Sequence, residues 1–265
     1  MKVIRKPVVA GLFYPNDPAE LRAQINGYLA NPSTTNQAPK ALIVPHAGYS
    51  YSGQAAGTAY KDLFQIKHLI KRVVLLGPAH RVGFRGIAFC SSDTFNTPLG
   101  DIDIDHSAFT AISEIPGVLL LDRAHAEEHS LEVQLPFLQT TLDDFKLVPL
   151  VVGDADRFTV AKVIEKLWGN NETLFVISSD LSHFHNYESA NALDKKTCEA
   201  IEHFNPEQIG FEQACGRNPV NGLLEVAKRK QMSVSTLALC NSGDTTGDKD
   251  RVVGYGAWAF YHSAA

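Results

Sequence analysis

ALIV-PHAGY at 41–49, VVLL-GPAH at 73–80 and LFVI-SSDLSH at 174–183 decide the fold of this chain. Each is a short apolar run that breaks at Pro, Gly-Pro or Ser-Ser and then delivers a histidine: His46, His80 and His183. Continuous Val, Ile and Leu bounded by such breakers reads as strand buried on both faces, the kind found in parallel sheets. Ligands of these sheets bind at the carboxyl ends of the strands. A single histidine after a strand is an ordinary loop or cap residue. Three at equivalent positions, with the carboxylate of Asp180 beside the third, point to one shared site, since neutral imidazole is the commonest metal ligand.

Working outward, strand and helix signals alternate through the chain. Asp17-Pro18 caps a helix with Leu21, Ile25, Tyr28 and Leu29 on its apolar face. The segment 31–40 (NPSTTNQAPK) reads as a surface loop, 52–64 as a helix, and 72–77 and 86–91 as strands, with Cys90 in the second. Leu131, Leu135 and Leu138 share a helical face that Pro136 should kink or end early. Strands are expected at 146–152 and 173–177, helices at 158–168 and 187–204. Asn218-Pro219 repeats the cap-plus-proline signal and opens a helix through 230. Strands at 234–239 and 252–261 close the chain; glycines 254 and 256 in the last suggest close backbone approach or a bulge. The glycine-rich 243–248 reads as a flexible loop. With no internal repeat and no composition shift, the expectation is a single domain over 1–265. It is a three-layer α/β/α sandwich with a mixed, mostly parallel sheet, made mixed by hairpin-like pieces near 86–104.

Composition narrows the function. Hydrophobic residues are 45% and charged residues 20% of 265, an ordinary core-forming balance. A formal net charge of -5 without a basic stripe argues against nucleic acid. No apolar run approaches the ~20 residues of a membrane span, and the first residues are too broken for a signal peptide. The four cysteines, Cys90, Cys198, Cys215 and Cys240, lie far apart without a CxxC pair, so a reducing cytoplasm is expected. No GxSxG, P-loop or GxGxxG occurs, which removes the usual hydrolase, NTPase and dinucleotide schemes.

His46 and His80 are the first ligand candidates, each aimed by a proline-containing turn. Cys215 precedes a helix start and lies near Arg217, both of which favour thiolate, so its pKa is expected below the ~8.5 of a free cysteine. Buried and inert is the alternative for Cys215, and the reading preferred for Cys198 and Cys240. Asp180 and His183 suit ligand orientation and acid–base work, or else cap the turn. Glu128 and His129 sit at a helix opening with access to the pocket left open. HAEEH at 125–129 fails as a zincin, because Ala126 stands where the glutamate must be.

PHAGYSYSG at 45–53, LGPAHR at 76–81, EEHSLEVQLPFL at 127–138, ISSDLSHF at 177–184 and CGRNPVNGLL at 215–224 together resemble the Memo family. In prokaryotes its members are also called AmmeMemoRadiSam system protein B. The resemblance implies a fold like that of the class III extradiol dioxygenases. It also implies metal-pocket residues at His46, His80 and Cys215, with Asp180 and His183 lining the same vestibule. Where the dioxygenases carry a carboxylate this sequence carries Cys215, a softer ligand suited to copper or iron, with zinc as the alternative. The implied roles are a metal-dependent redox protein, or a metal- or partner-binding protein serving radical-SAM and AMMECR-type proteins. An extradiol dioxygenase or metal-assisted hydrolase is the third reading.

Overall fold

The three apolar runs become adjacent strands. A computed structural model of the chain describes residues 2–30 and 37–262. Its strands are β1 (Ile4–Arg5), β2 (Ala41–Val44), β3 (Arg72–Pro78), β4 (Ile87–Phe89), β5 (Thr94–Thr97), β6 (Gly100–Asp103), β7 (Val118–Leu120), β8 (Lys146–Val152), β9 (Thr173–Ser178), β10 (His183–His185), β11 (Ser233–Asn241) and β12 (Val252–Tyr261). The main sheet runs β10-β12-β2-β9-β3-β8-β4-β7, with β11 paired to β12. Its centre, β2-β9-β3-β8, is parallel throughout, whereas β4 on β8 and β12 on β2 are antiparallel. Every residue of β2 and β9 is buried, which explains why these strands are apolar without alternation.

Helices cover both sides of this sheet. Tyr49–Tyr60 packs on Pro18–Leu29 and against β11 and β12, while Arg157–Lys166 packs on Arg217–Arg229, which lies along β3 and β9. Among the described residues no helix is long and apolar enough to cross a membrane.

Several sequence expectations shift. The pieces at 94–103 leave the main sheet and pair with β1 in a small sheet of order β1-β5-β6, so the mixed character comes from β4 and the closing strands. Pro136 neither kinks nor ends a helix. It sits in the first turn of Leu135–Thr141, where its missing N–H costs nothing, after a 3-10 turn at Glu132–Gln134. Asn218 is not a cap: the helix starts at Arg217, and the Asn218 amide donates to the Gly153 carbonyl at 3.0 Å. Residues 243–248 are not a plain loop, because Ser242–Thr246 is a short helix closed by an Asn241/Asp244 capping box and by Gly247 at φ 80°. The loop expected at 31–40 lies, over 31–36, outside the described residues. Close approach in β12 is real at Gly254, where a Cβ would fall 1.9 Å from Asp194 Oδ2.

One buried carboxylate ties the N-terminal segment to the sheet. Glu132, fully buried, pairs with Arg5 and accepts from the Val8 and Val9 amides at 2.9 Å and from the Tyr14 hydroxyl at 2.7 Å. Arg5 also donates to the carbonyls of His125 at 3.2 Å and Glu128 at 2.7 Å. The segment that carries Leu12 and Phe13 is thus fastened to the turn that carries Glu128 and His129.

Candidate metal centre

Register explains how the site assembles. Val44 of β2 lies beside Ser178 of β9, and Leu76 of β3 beside Ile177, so the turns after three neighbouring strands share one rim. The His46 and His80 rings come within 5.2 Å, centroid to centroid. Cys215 arrives from the turn before Arg217–Arg229, and its Sγ lies 3.4 Å from His46 Nε2. Gly216 allows this approach, since a Cβ there would meet Ser179 at 2.6 Å and the Ser178 carbonyl at 2.7 Å. One donor atom from each of His46, His80 and Cys215 lies within 4.8 Å of the others. Nitrogen and sulfur donors at ordinary bond lengths about one tetrahedral ion stand roughly 3.5 Å apart, so this donor set fits a metal.

Hydrogen bonding fixes which nitrogen each imidazole presents. Ser178 Oγ has one hydrogen, and it goes to the Ser130 carbonyl at 2.6 Å. Ser178 Oγ therefore accepts from the Gln134 amide, 2.8 Å, and from His46 Nδ1, 2.8 Å. His46 carries its proton on Nδ1 and turns the Nε2 lone pair toward Cys215. At His80, the carboxylate of Glu128 can only accept, so Nδ1–H donates to Glu128 Oε1 at 2.9 Å and Nε2 is left free. Gln134 is itself held by the Pro45 carbonyl and the Tyr60 hydroxyl.

The environment keeps both imidazoles' partners in order. Burial, with the neighbouring histidines, pushes His46 well below its ordinary value, so it is neutral and able to coordinate. Burial would raise the Glu128 carboxyl, but the hydrogen bonds from His80 outweigh it and hold it at about 2. Glu128 also lies 3.5 Å from His129 Nδ1, and His129 stacks on His80 at 4.7 Å. His129 lines the pocket, whereas Glu128 is buried behind His80 and acts on the pocket through that ring; the turn that carries them follows the helix Asp122–Ala126 rather than opening one.

The expected low pKa of Cys215 is corrected. Burial, reinforced by the Asp180 carboxylate, pushes this thiol up to about 12. Arg217 does not offset this, because its guanidinium stacks on Phe211 at 5.2 Å. Asp180 is buried, and burial raises its carboxyl. Its Oδ1 accepts from the His46 amide at 2.7 Å, and its own amide donates to Cys215 Sγ at 3.3 Å, so it braces the turns of two candidate ligands at once. His183 lines a cleft of about 430 Å³ together with His46, His80, His129 and Asp180.

Ser178, Gln134 and Ser130 are the residues that sequence reading missed; LEVQ within the 127–138 motif was the only trace of the second. Ser178→Ala leaves His46 Nδ1–H, the Gln134 amide and the Ser130 carbonyl each short of a partner. Metal affinity, read by competition with a chromophoric chelator, should fall about 10–100-fold.

The Memo-like protein family model matches residues 5–259, nearly the whole chain. The chain belongs to the Memo family. A MEMO1 family protein of Aquifex aeolicus is 38% identical over 95% of this chain and 97% of its own length. One from Aeropyrum pernix is 35% identical, covering 96% and 98%. Among solved structures, an uncharacterized protein of Escherichia coli K12, JW3007, aligns with TM-score 0.51 at 12% identity, over 84% of this chain and all of that one. That likeness is one of fold.

Proposed function

We propose that this protein binds one transition metal ion through His46, His80 and Cys215, iron or copper ahead of zinc, and acts as a metal-dependent redox protein. The reading is carried by one observation: three donors from distant segments lie within 4.8 Å of one another, with both Nδ1 protons already engaged. Such an ion, when bound, supplies one-electron redox capacity and Lewis acidity, tempered by a soft thiolate. The chain's own residues do the rest. Glu128 and Ser178 orient the imidazoles, and Asp180 holds the His46 and Cys215 turns together. His183, on the cleft wall beside them, holds or passes a proton at its ring.

Protein prepared without tags or chelators and titrated anaerobically with Fe(II), Cu(I) and Zn(II) should take up one equivalent, bound more tightly for one of the first two. Fe(II)- or Cu(I)-loaded protein should then show a reversible one-electron wave. Equal uptake by His46→Ala, His80→Ala and the parent chain would overturn the site, and a redox-silent loaded protein would overturn the role.

A further inference from the structure

Cys215 and His183 also face the other way. Together with His80 they line a second cleft, of about 820 Å³, that includes Phe184, Phe211 and Arg217. His80 and His183 belong to both clefts, so the candidate centre is the partition between them.

Three features of the second cleft point to a ligand. The Arg217 guanidinium has no carboxylate within 4.0 Å among the described residues, and the cleft's acids already face other groups: Asp154 faces Arg85 at 3.9 Å, Glu212 faces His185 at 3.9 Å. Stacking on Phe211 holds the guanidinium in place, leaving its planar fork of donors for an acceptor. Phe211 is 75% exposed, a large ring left in water beside that cation, and Phe184, 62% exposed, carries the Arg251 guanidinium 5.0 Å over one face of its ring and leaves the other open. Phe184 adopts φ 63° at the bulge between His183 and His185 in the pairing of β10 with β12, which turns its side chain out of the ladder.

We propose that this second cleft binds a small aromatic carboxylate, its carboxylate on Arg217 and its ring against Phe184 and Phe211. Calling it the organic-substrate side of a metal centre rests on the function proposed above; the binding itself does not. A carboxylate takes two parallel hydrogen bonds from a guanidinium, which neither a neutral amide nor an alcohol reproduces. The flat ring covers apolar surface that the fold otherwise leaves wet.

Benzoate is the probe and benzamide its neutral counterpart, each titrated into chelator-treated, metal-free full-length protein and followed by saturation-transfer NMR. Benzoate should bind, and benzamide about 10–100-fold more weakly. Arg217→Gln should weaken benzoate by a similar factor, and Phe211→Leu, a change on an exposed residue that does not threaten folding, by about 2–10-fold. Equal binding of the two probes, no binding of either, or benzoate binding indifferent to both variants would overturn the proposal. A separate Co(II) titration of the same samples reads the metal site. Its failure with benzoate binding intact sinks the metal assignment alone; the reverse sinks the carboxylate cleft alone.

Discussion

Cys215→Ser should lower metal affinity by about 10²–10³-fold, the scale expected when one of three protein ligands is replaced by a poor one, whereas Cys198→Ser should leave it unchanged. The contrast follows from position. Cys215 Sγ stands 3.4 Å from His46 Nε2, while the Cys198 thiol contacts Thr236 across a helix–strand packing and Glu202 one turn along its own helix. Co(II) gives a direct readout, because thiolate ligation produces a charge-transfer absorption that serine cannot. Since burial holds the free thiol at about 12, it is protonated at neutral pH, and ligation must expel that proton. The parent protein should therefore release a proton on binding that the serine variant retains, and affinity should weaken as pH falls. Unchanged Co(II) spectra in Cys215→Ser would remove the sulfur from the coordination sphere and leave a two-histidine site.

Glu132→Ala should destabilise the fold by about 3–5 kcal/mol, because it leaves the Arg5 guanidinium buried without its counter-charge. The Val8 and Val9 amides and the Tyr14 hydroxyl lose their acceptor in the same step. A fall of roughly 10 °C in Tm follows for a chain of this size. Glu132→Gln keeps the shape and part of the hydrogen bonding, so it should lie between the two. Since the same network fastens Phe13, which contacts the His129 ring at 5.0 Å, the loss should be accompanied by weaker metal binding. A Glu132→Ala protein melting like the parent would mean that water replaces the carboxylate at no cost.

The sheet was readable because burial on both faces leaves a plain mark: ALIV, VVLL and LFVI need no partner to be recognised as interior strands. Their neighbourhood was readable too, since parallel strands with equivalent turns share an edge. Less was readable where a side chain had several partners to choose from. Asn218 satisfies the pattern of a cap, yet the Gly153 carbonyl, far away in sequence, claims its amide. Arg217 sits two residues from Cys215, yet faces Phe211, so desolvation rather than the guanidinium governs the thiol. Ser178 and Gln134 lie inside ISSDLSHF and EEHSLEVQLPFL, yet nothing in either motif marks them as orienting groups. A hydroxyl at a strand end becomes an orienting group only after chain segments separated by 132 and 44 residues have met around it.

That separation has a consequence for biosynthesis. The thiol that completes the donor set lies 169 residues beyond His46, and β12, which pairs with β2, is later still. At about 5–20 residues per second, the two imidazoles wait many seconds on the ribosome before the third ligand emerges. Parallel pairing of distant strands is itself slow. The candidate donor set is therefore brought together only as the last strand leaves the ribosome, so its geometry is set by the finished sheet rather than by the nascent chain.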